Sequence, residues 1–281
     1  MGWGVINNNE KVGILDLNKL FFLFVLFQSC VWADDITIEL TPTNSPIPPQ
    51  IEKVTCIVID PGNGGKDFGA IGYDGKLLEK NINLIISKKV MDFLKKEPGL
   101  DVLLTRQGDN EISDKERVGF ANSHKADLFI SIHCNRSESD KDNGAVIYCF
   151  NFKNSDKPAA KSRETNGAGS YDAVFSDLRQ NRYKVRSEFM AEMIEQQIKE
   201  HLIQNFRSIQ RTHFYVLDNV EMPSLWIGTG YITNKGEANK LQDPSWQSQM
   251  AKSIAGGILA YRKIITDAPV ETSNTETKLN P

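Results

Sequence analysis

Between residues 53 and 266, short apolar runs alternate with longer amphipathic stretches. This rhythm constrains the fold more than any other feature of the 281-residue chain. The runs Cys56–Asp60, Asp101–Thr105, Leu128–His133, Ala145–Phe150, Thr212–Leu217 and Ser224–Ile227 read as strands. The stretches Asn81–Lys96, Asp114–Ser123, Tyr183–Leu202 and Ser245–Ile264 carry helical periodicity. Strands interleaved with helices predict an α/β fold, with a mostly parallel twisted central sheet of about six strands and helices on both faces. A sheet of that kind places its ligands beyond the carboxyl ends of its strands.

The flanks differ in composition. Residues 34–52 are polar and proline-rich and read as a linker. Residues 267–281 are Thr-, Asn- and Glu-rich and read as a flexible tail. One domain, residues 53–266, fills the space between. Residues 151–181 interrupt its rhythm with a polar, Lys- and Ser-rich insertion that ends in Tyr171–Leu178, a segment able to form a short amphipathic helix. A lid and a variable surface loop both remain open as readings of it. The hydrophobic share of 40% and charged share of 25% are those of a globular protein. A net charge of −3 without a Lys/Arg run argues against a nucleic-acid partner.

At the N-terminus, Leu20–Phe27 is an apolar block behind Lys19, too short to span a bilayer, with Val31 and Ala33 at cleavage-like positions. Residues 1–33 therefore read as a signal peptide, or as a lipoprotein signal ending at Cys30. The chain is expected to be exported to the periplasm or cell envelope, with membrane contact only if Cys30 is lipidated. Cleavage after Ala33 leaves Cys56, Cys134 and Cys149, an odd set in apolar surroundings that reads as buried free thiols.

Three elements fall where such a sheet would carry a site. Ile59-Asp60-Pro61-Gly62-Asn63-Gly64-Gly65 runs from a strand into a glycine-rich turn, Glu79 stands at the mouth of a helix, and His133 ends the strand Ile130-Ser131-Ile132-His133. Each has a plain structural explanation alone: a tight turn, a carboxylate at a helix N-terminus, a core histidine. Together with Glu116-Arg117, Ala121-Asn122, Ala126-Asp127, Asn135, Tyr215-Val216-Leu217 and Met222-Pro223 through Tyr231, they occur in an order that closely resembles the zinc-dependent N-acetylmuramoyl-L-alanine amidases. The likeness runs from about Val58 to Ile264.

The resemblance implies a zinc held by a turn His, the Glu and the strand-end His, with a later Glu as general base for the attacking water. Carried onto this chain, the remaining metal positions are Glu79 and His133. The turn His is replaced by Asn63, whose neutral amide oxygen suits harder cations than zinc. The general-base position falls on Gly228, which has no side chain to accept a proton. Zinc is then expected to be weak or absent. Asn135 and Arg117 stand as substrate-binding candidates, and His213 and Glu221 as the nearest conceivable substitutes.

Three readings follow from the resemblance. The chain is a peptidoglycan-binding or wall-regulating protein with impaired catalysis, an active zinc amidase using substitute ligands, or a protein–protein module competing for amidase activators.

Overall fold

The computed structural model describes residues 53–151, 168–202 and 205–267, without the side chains of residues 168–177. The expected signal, linker and tail lie outside these residues, as does most of the first half of the insertion. Six strands form one sheet: β1 Cys56–Pro61, β2 Asp101–Leu104, β3 Leu128–Asn135, β4 Ala145–Phe150, β5 Phe206–Thr212 and β6 Ser224–Tyr231. Their order is β2-β1-β3-β6-β4-β5. Four strands, β2, β1, β3 and β6, run parallel, and β4 and β5 pair parallel to each other but join antiparallel to β6.

Among the described residues six helices accompany the sheet: α1 Glu79–Leu94, α2 Asp114–Ser123, α3 Ala168–His201, α4 Tyr215–Asn219, α5 Lys235–Gln242 and α6 Pro244–Asp267. Alternation along the strands sorts the core into two layers. Ile57, Ile59, Ile130, Ile132, Leu225 and Ile227 pack with α1, α3 and α6, whereas Val58 and Phe129 pack with Val118 and Ala121 of α2 and Val216 and Leu217 of α4. Helices thus cover both faces, as expected. No helix of the described residues is long and apolar enough to cross a membrane.

Two expectations need correction. The expected strand Thr212–Leu217 is not one: the strand lies at Phe206–Thr212, and Tyr215–Asn219 is a helical turn. The strand escapes a pattern search because it sits at the edge of the sheet, where its residues are at most half-buried and mostly polar. The apolar run after it buries Val216, Leu217 and Val220, a helical spacing that fits against α2. The second correction concerns the insertion. From Ala168 onward it is helical, continuous with the expected Tyr183–Leu202 helix, so Tyr171–Leu178 belongs to one long α3. Helix α5 went unexpected, although Asn234 accepts a hydrogen bond from the Glu237 amide at its start, a capping pattern visible in the sequence.

Candidate functional site

The site forms where β1 and β3 end. The turn after β1 is held by its carbonyls, and three buried cations do the holding. Arg106 donates from Nε to Pro61 O and from Nη2 to Gly62 O, both at 2.9 Å. Arg117 donates from Nη1 to Pro61 O and from Nη2 to Asn63 O, again at 2.9 Å, and Lys80 Nζ reaches Gly65 O at 2.8 Å. Arg117 also forms an ion pair with Asp60, which is fully buried and accepts from Thr105 Oγ1 and from Ser131 Oγ. A planar guanidinium suits this multiple capture of backbone oxygens. Arg117, expected at a ligand, is itself buried, with both Nη groups engaged by Asp60, Pro61, Asn63 and Ile112.

Anchored this way, the turn carries Asn63 at φ 59°, a left-handed conformation that asparagine tolerates better than most residues. Its Nδ2 donates to Asp67 Oδ2 at 2.8 Å, and its Oδ1 accepts from Asn83 Nδ2 at 3.2 Å. Asn83 lies one helical turn after Glu79 on α1, and its amide also reaches Glu79 Oε1 at 3.3 Å.

Glu79 opens α1 and is buried. Its Oε1 faces His133 Nδ1 at 2.9 Å and accepts from the Cys134 amide at 3.1 Å, while Oε2 accepts from the Ala70 amide at 2.7 Å. Burial works to raise the Glu79 carboxyl. The hydrogen bond and charge of His133, with the two amides, outweigh it and leave the group below the usual glutamate range.

The imidazole of His133 is clamped on both faces. On one side lies Gly62, where an ideal Cβ would fall 2.0 Å from His133 Cε1, so only glycine fits. On the other lies Trp226, its ring stacked at 4.4 Å between centroids and 16° between planes. Trp226 pairs with Ser131 across the β3–β6 ladder, and His133 pairs with Gly228. A register shift follows between His133 and Asn135. Beyond it, Asn135 is buried with its Nδ2 donating to Gly228 O at 3.2 Å, and a Cβ added to Gly228 would meet Asn135 Oδ1 at 2.1 Å. Cys134, one residue on from His133, belongs to the opposite core layer.

These residues border a cleft of about 520 Å³. Asp60, Asn63, Ser131 and His133 line it together with the 111–114 stretch, Glu116, Arg117 and Asp67, and with Phe214, Tyr215, Val216 and Trp226. The cleft thus brings together Asn63, His133 and Arg117, with Glu79 behind His133. Asn135 and Gly228 are not among its lining residues. His213 pairs with Asp218 at 3.4 Å and sets its ring against the Phe150 edge, and neither it nor Glu221 lines the cleft. Trp226, Asn83 and Asp67 were missed by sequence reasoning. The i, i+4 spacing of Glu79 and Asn83 was a usable signal, whereas nothing in Leu225-Trp226-Ile227 announces a stack on an imidazole from another strand.

The zinc that the resemblance implies calls for three protein donors. Glu79 and His133 face each other at hydrogen-bond distance, and the third corner is a carboxamide already bonded on both its atoms. Among the described residues no group of three or more His, Cys, Asp or Glu side chains is arranged to hold a metal ion. Across these three positions the donors are one carboxylate, one imidazole and one carboxamide, where the resemblance implies His, Glu and His.

The profile of the family described as N-acetylmuramoyl-L-alanine amidase matches residues 57–260. The amidase LytC of Bacillus subtilis is 34% identical over 205 residues, covering 73% of this chain and 35% of LytC, so the chain spans about a third of that relative. The catalytic domain of CwlV, an N-acetylmuramoyl-L-alanine amidase from Bacillus (Paenibacillus) polymyxa var. colistinus, superposes with a TM-score of 0.61 at 30% identity, over 75% of this chain and 99% of that domain. The CwlD amidase from Clostridioides difficile, solved in complex with the GerS lipoprotein, gives 0.61 at 25% identity, over 75% and 99%. With the profile running through residues 57–260 and the solved amidase domains superposing over 75% of the chain, this chain belongs to the N-acetylmuramoyl-L-alanine amidase family.

Proposed function

We propose that this chain is an exported cell-wall protein that binds peptidoglycan through the cleft and does not hydrolyse it as a working amidase does. The observation that carries the reading is Gly228. It stands where the resemblance puts the general base, and any side chain there would require the neighbouring Asn135 amide to move. Loss of a general base alone lowers a rate by about 10²–10⁴.

The second support is the metal position. Zinc, when bound in the family, supplies an activated water. Here Asn63 contributes a neutral carboxamide, and Glu79 and His133 alone hold zinc weakly. What the chain's own residues retain is shape: Arg106, Arg117 and Lys80 fix the turn, and Gly62 and Trp226 fix His133. Arg117 acts on a ligand through this positioning, whereas Asn135, outside the cleft lining, packs against Gly228. Export rests on the apolar segment before residue 34 and on the cell-wall chemistry of the named relatives.

The test is zinc content of the purified chain, with dye release from labelled sacculi and sacculus pull-down on the same sample. Sub-stoichiometric zinc, no release and retention on sacculi are the expected results. Near one zinc per chain with measurable release would overturn the reading in favour of an active amidase.

A second reading is favoured by one observation, the presence of the GerS lipoprotein in the CwlD structure. In it this chain engages a protein partner through the amidase fold, and it predicts no retention on purified sacculi.

A further inference from the structure

Of the eight large apolar side chains exposed among the described residues, four fall within residues 68–85: Phe68 at 49%, Ile71 at 49%, Tyr73 at 45% and Ile85 at 40%. Gathered apolar exposure of this kind marks a contact surface, whereas single scattered residues do not. None of the four lines the cleft.

The fold holds them against one side of α1. The Lys80 amide donates to Phe68 O at 3.3 Å and the Glu79 amide to Ala70 O at 3.0 Å, which ties the loop to the first turn of the helix. Ile71 forms a bridge with Leu78, and Ile85 lies about two helical turns beyond Leu78. Tyr73 belongs to the turn that this bridge closes. Gly72 N donates there to Leu77 O at 2.8 Å, and Tyr73 N to Ile232 O at 3.3 Å. Residues 73–76 are all exposed, so the turn is preordered and protrudes.

Charge decides what such a surface meets. Lys66, Lys76 and Lys88 are exposed, and Lys88 follows Ile85 by one helical turn on the same face of α1. The exposed carboxylates of the stretch are turned onto its own donors. Asp67 accepts from Gly69 N and Asn63 Nδ2, and Asp74 accepts from Lys76 N and Leu77 N. The whole chain carries −3, so this excess of outward cations is local. Protein interfaces are depleted in lysine. Aromatic and branched apolar side chains interspersed with lysines match instead the boundary of an anionic bilayer, where rings settle among headgroups and ammonium groups meet phosphates.

We propose that residues 66–88 form a peripheral contact with an anionic phospholipid surface. Phe68, Ile71, Tyr73 and Ile85 enter the headgroup boundary, and Lys66, Lys76 and Lys88 pair with lipid phosphates. None of these seven residues lines the cleft, so the proposal does not depend on the cleft binding peptidoglycan.

The test is mass-mapped lysine acetylation of the full chain with vesicles of phosphatidylcholine, alone or mixed with phosphatidylglycerol. Each lysine is read separately, so attachment through Leu20–Phe27 does not mask the result. The mixed vesicles are expected to protect Lys66, Lys76 and Lys88 and to leave Lys125 and Lys199, exposed elsewhere on the fold, reactive. Ile71→Ser combined with Tyr73→Ser, at two half-exposed positions, is expected to lose that protection with unchanged circular dichroism. Equal protection by the neutral vesicles would remove the role of the lysines and overturn the proposal. Absent protection, protection shared equally by Lys125 and Lys199, or protection retained in the folded double variant would overturn it as well. Protection that appears without vesicles as protein concentration rises would assign the surface to a second copy of this chain instead.

Discussion

The carboxamide of Asn135 occupies the space into which a side chain on Gly228 would project: an ideal Cβ there would lie 2.1 Å from Asn135 Oδ1 and 2.5 Å from its Cγ. The two residues are also joined by the Asn135 Nδ2 bond to Gly228 O at 3.2 Å. Glycine at 228 and the placement of Asn135 are therefore one packing solution, and a change at 228 alone does not undo it.

Gly228→Ala is expected to destabilise the fold by about 1–3 kcal/mol, because it overpacks a buried strand end. Asn135→Ala in the same chain makes room and is expected to recover about 1 kcal/mol or more of that loss, a coupling that urea denaturation of the double-mutant cycle measures. Additive effects would show that the amide moves aside without cost. By the same packing, Gly228→Glu is expected to leave dye release from labelled sacculi undetectable.

Much of this was legible in the sequence, for identifiable reasons. Strands β1, β3 and β6 are buried and apolar, so they announce themselves, and the turn, Glu79 and His133 lie at their ends or on the adjoining helix. What was not legible depends on contacts between distant segments. Strand β5 is a polar edge, and its neighbour Phe214–Leu217 looks extended until α2 is there to receive a helical turn. Arg117 resembles a surface binding residue because arginine is seldom buried, and only the folded chain brings Asp60 and three carbonyls to it.

The Asp60–Arg117 pair is buried on both sides, with 1% and 4% of the side chains exposed. Removing one partner of such a pair leaves an uncompensated charge and costs about 3–5 kcal/mol. Arg117→Met is therefore expected to lower the urea midpoint by that equivalent, and Arg117→Lys to rescue it poorly because an ammonium cannot reproduce the fork across Asp60, Pro61 and Asn63. A neutral Arg117→Met would mean that Arg106 and Lys80 hold the turn without it.

The three described cysteines are free and unequal. Burial, reinforced by Glu188, pushes the Cys149 thiol up to about 12. Burial and Glu79 push Cys134 well above its ordinary value, and Cys56 is raised less, by partial burial and by Asp127. Since thiolates are the reactive species, peptide-mapped alkylation of the native chain at pH 8 is expected to mark Cys56 first and to spare Cys134 and Cys149 until denaturant is added. Raising the pH from 7 to 9 leaves Cys149 below its pKa and is expected to leave it unlabelled. Rapid native labelling of Cys149 would show that β4 opens readily.

Asn63 is the position where metal binding is most open to restoration. Its φ of 59° belongs to a region that histidine, like asparagine, visits more readily than most residues, so Asn63→His is compatible with the backbone. The substitution breaks the bonds of Asn63 to Asp67 and Asn83, and it places a nitrogen ligand beside the Glu79–His133 pair. Groups one step removed from a metal already change affinity by about 10–100-fold, so gaining a direct ligand is expected to raise zinc affinity by at least that much, as read by competition with a chromogenic chelator. Dye release is expected to stay absent, because Gly228 still supplies no base. Equal, tight zinc binding by the parent and by Asn63→His would show that the carboxamide is no obstacle. It would leave the missing side chain at residue 228 as the whole cause of any inactivity.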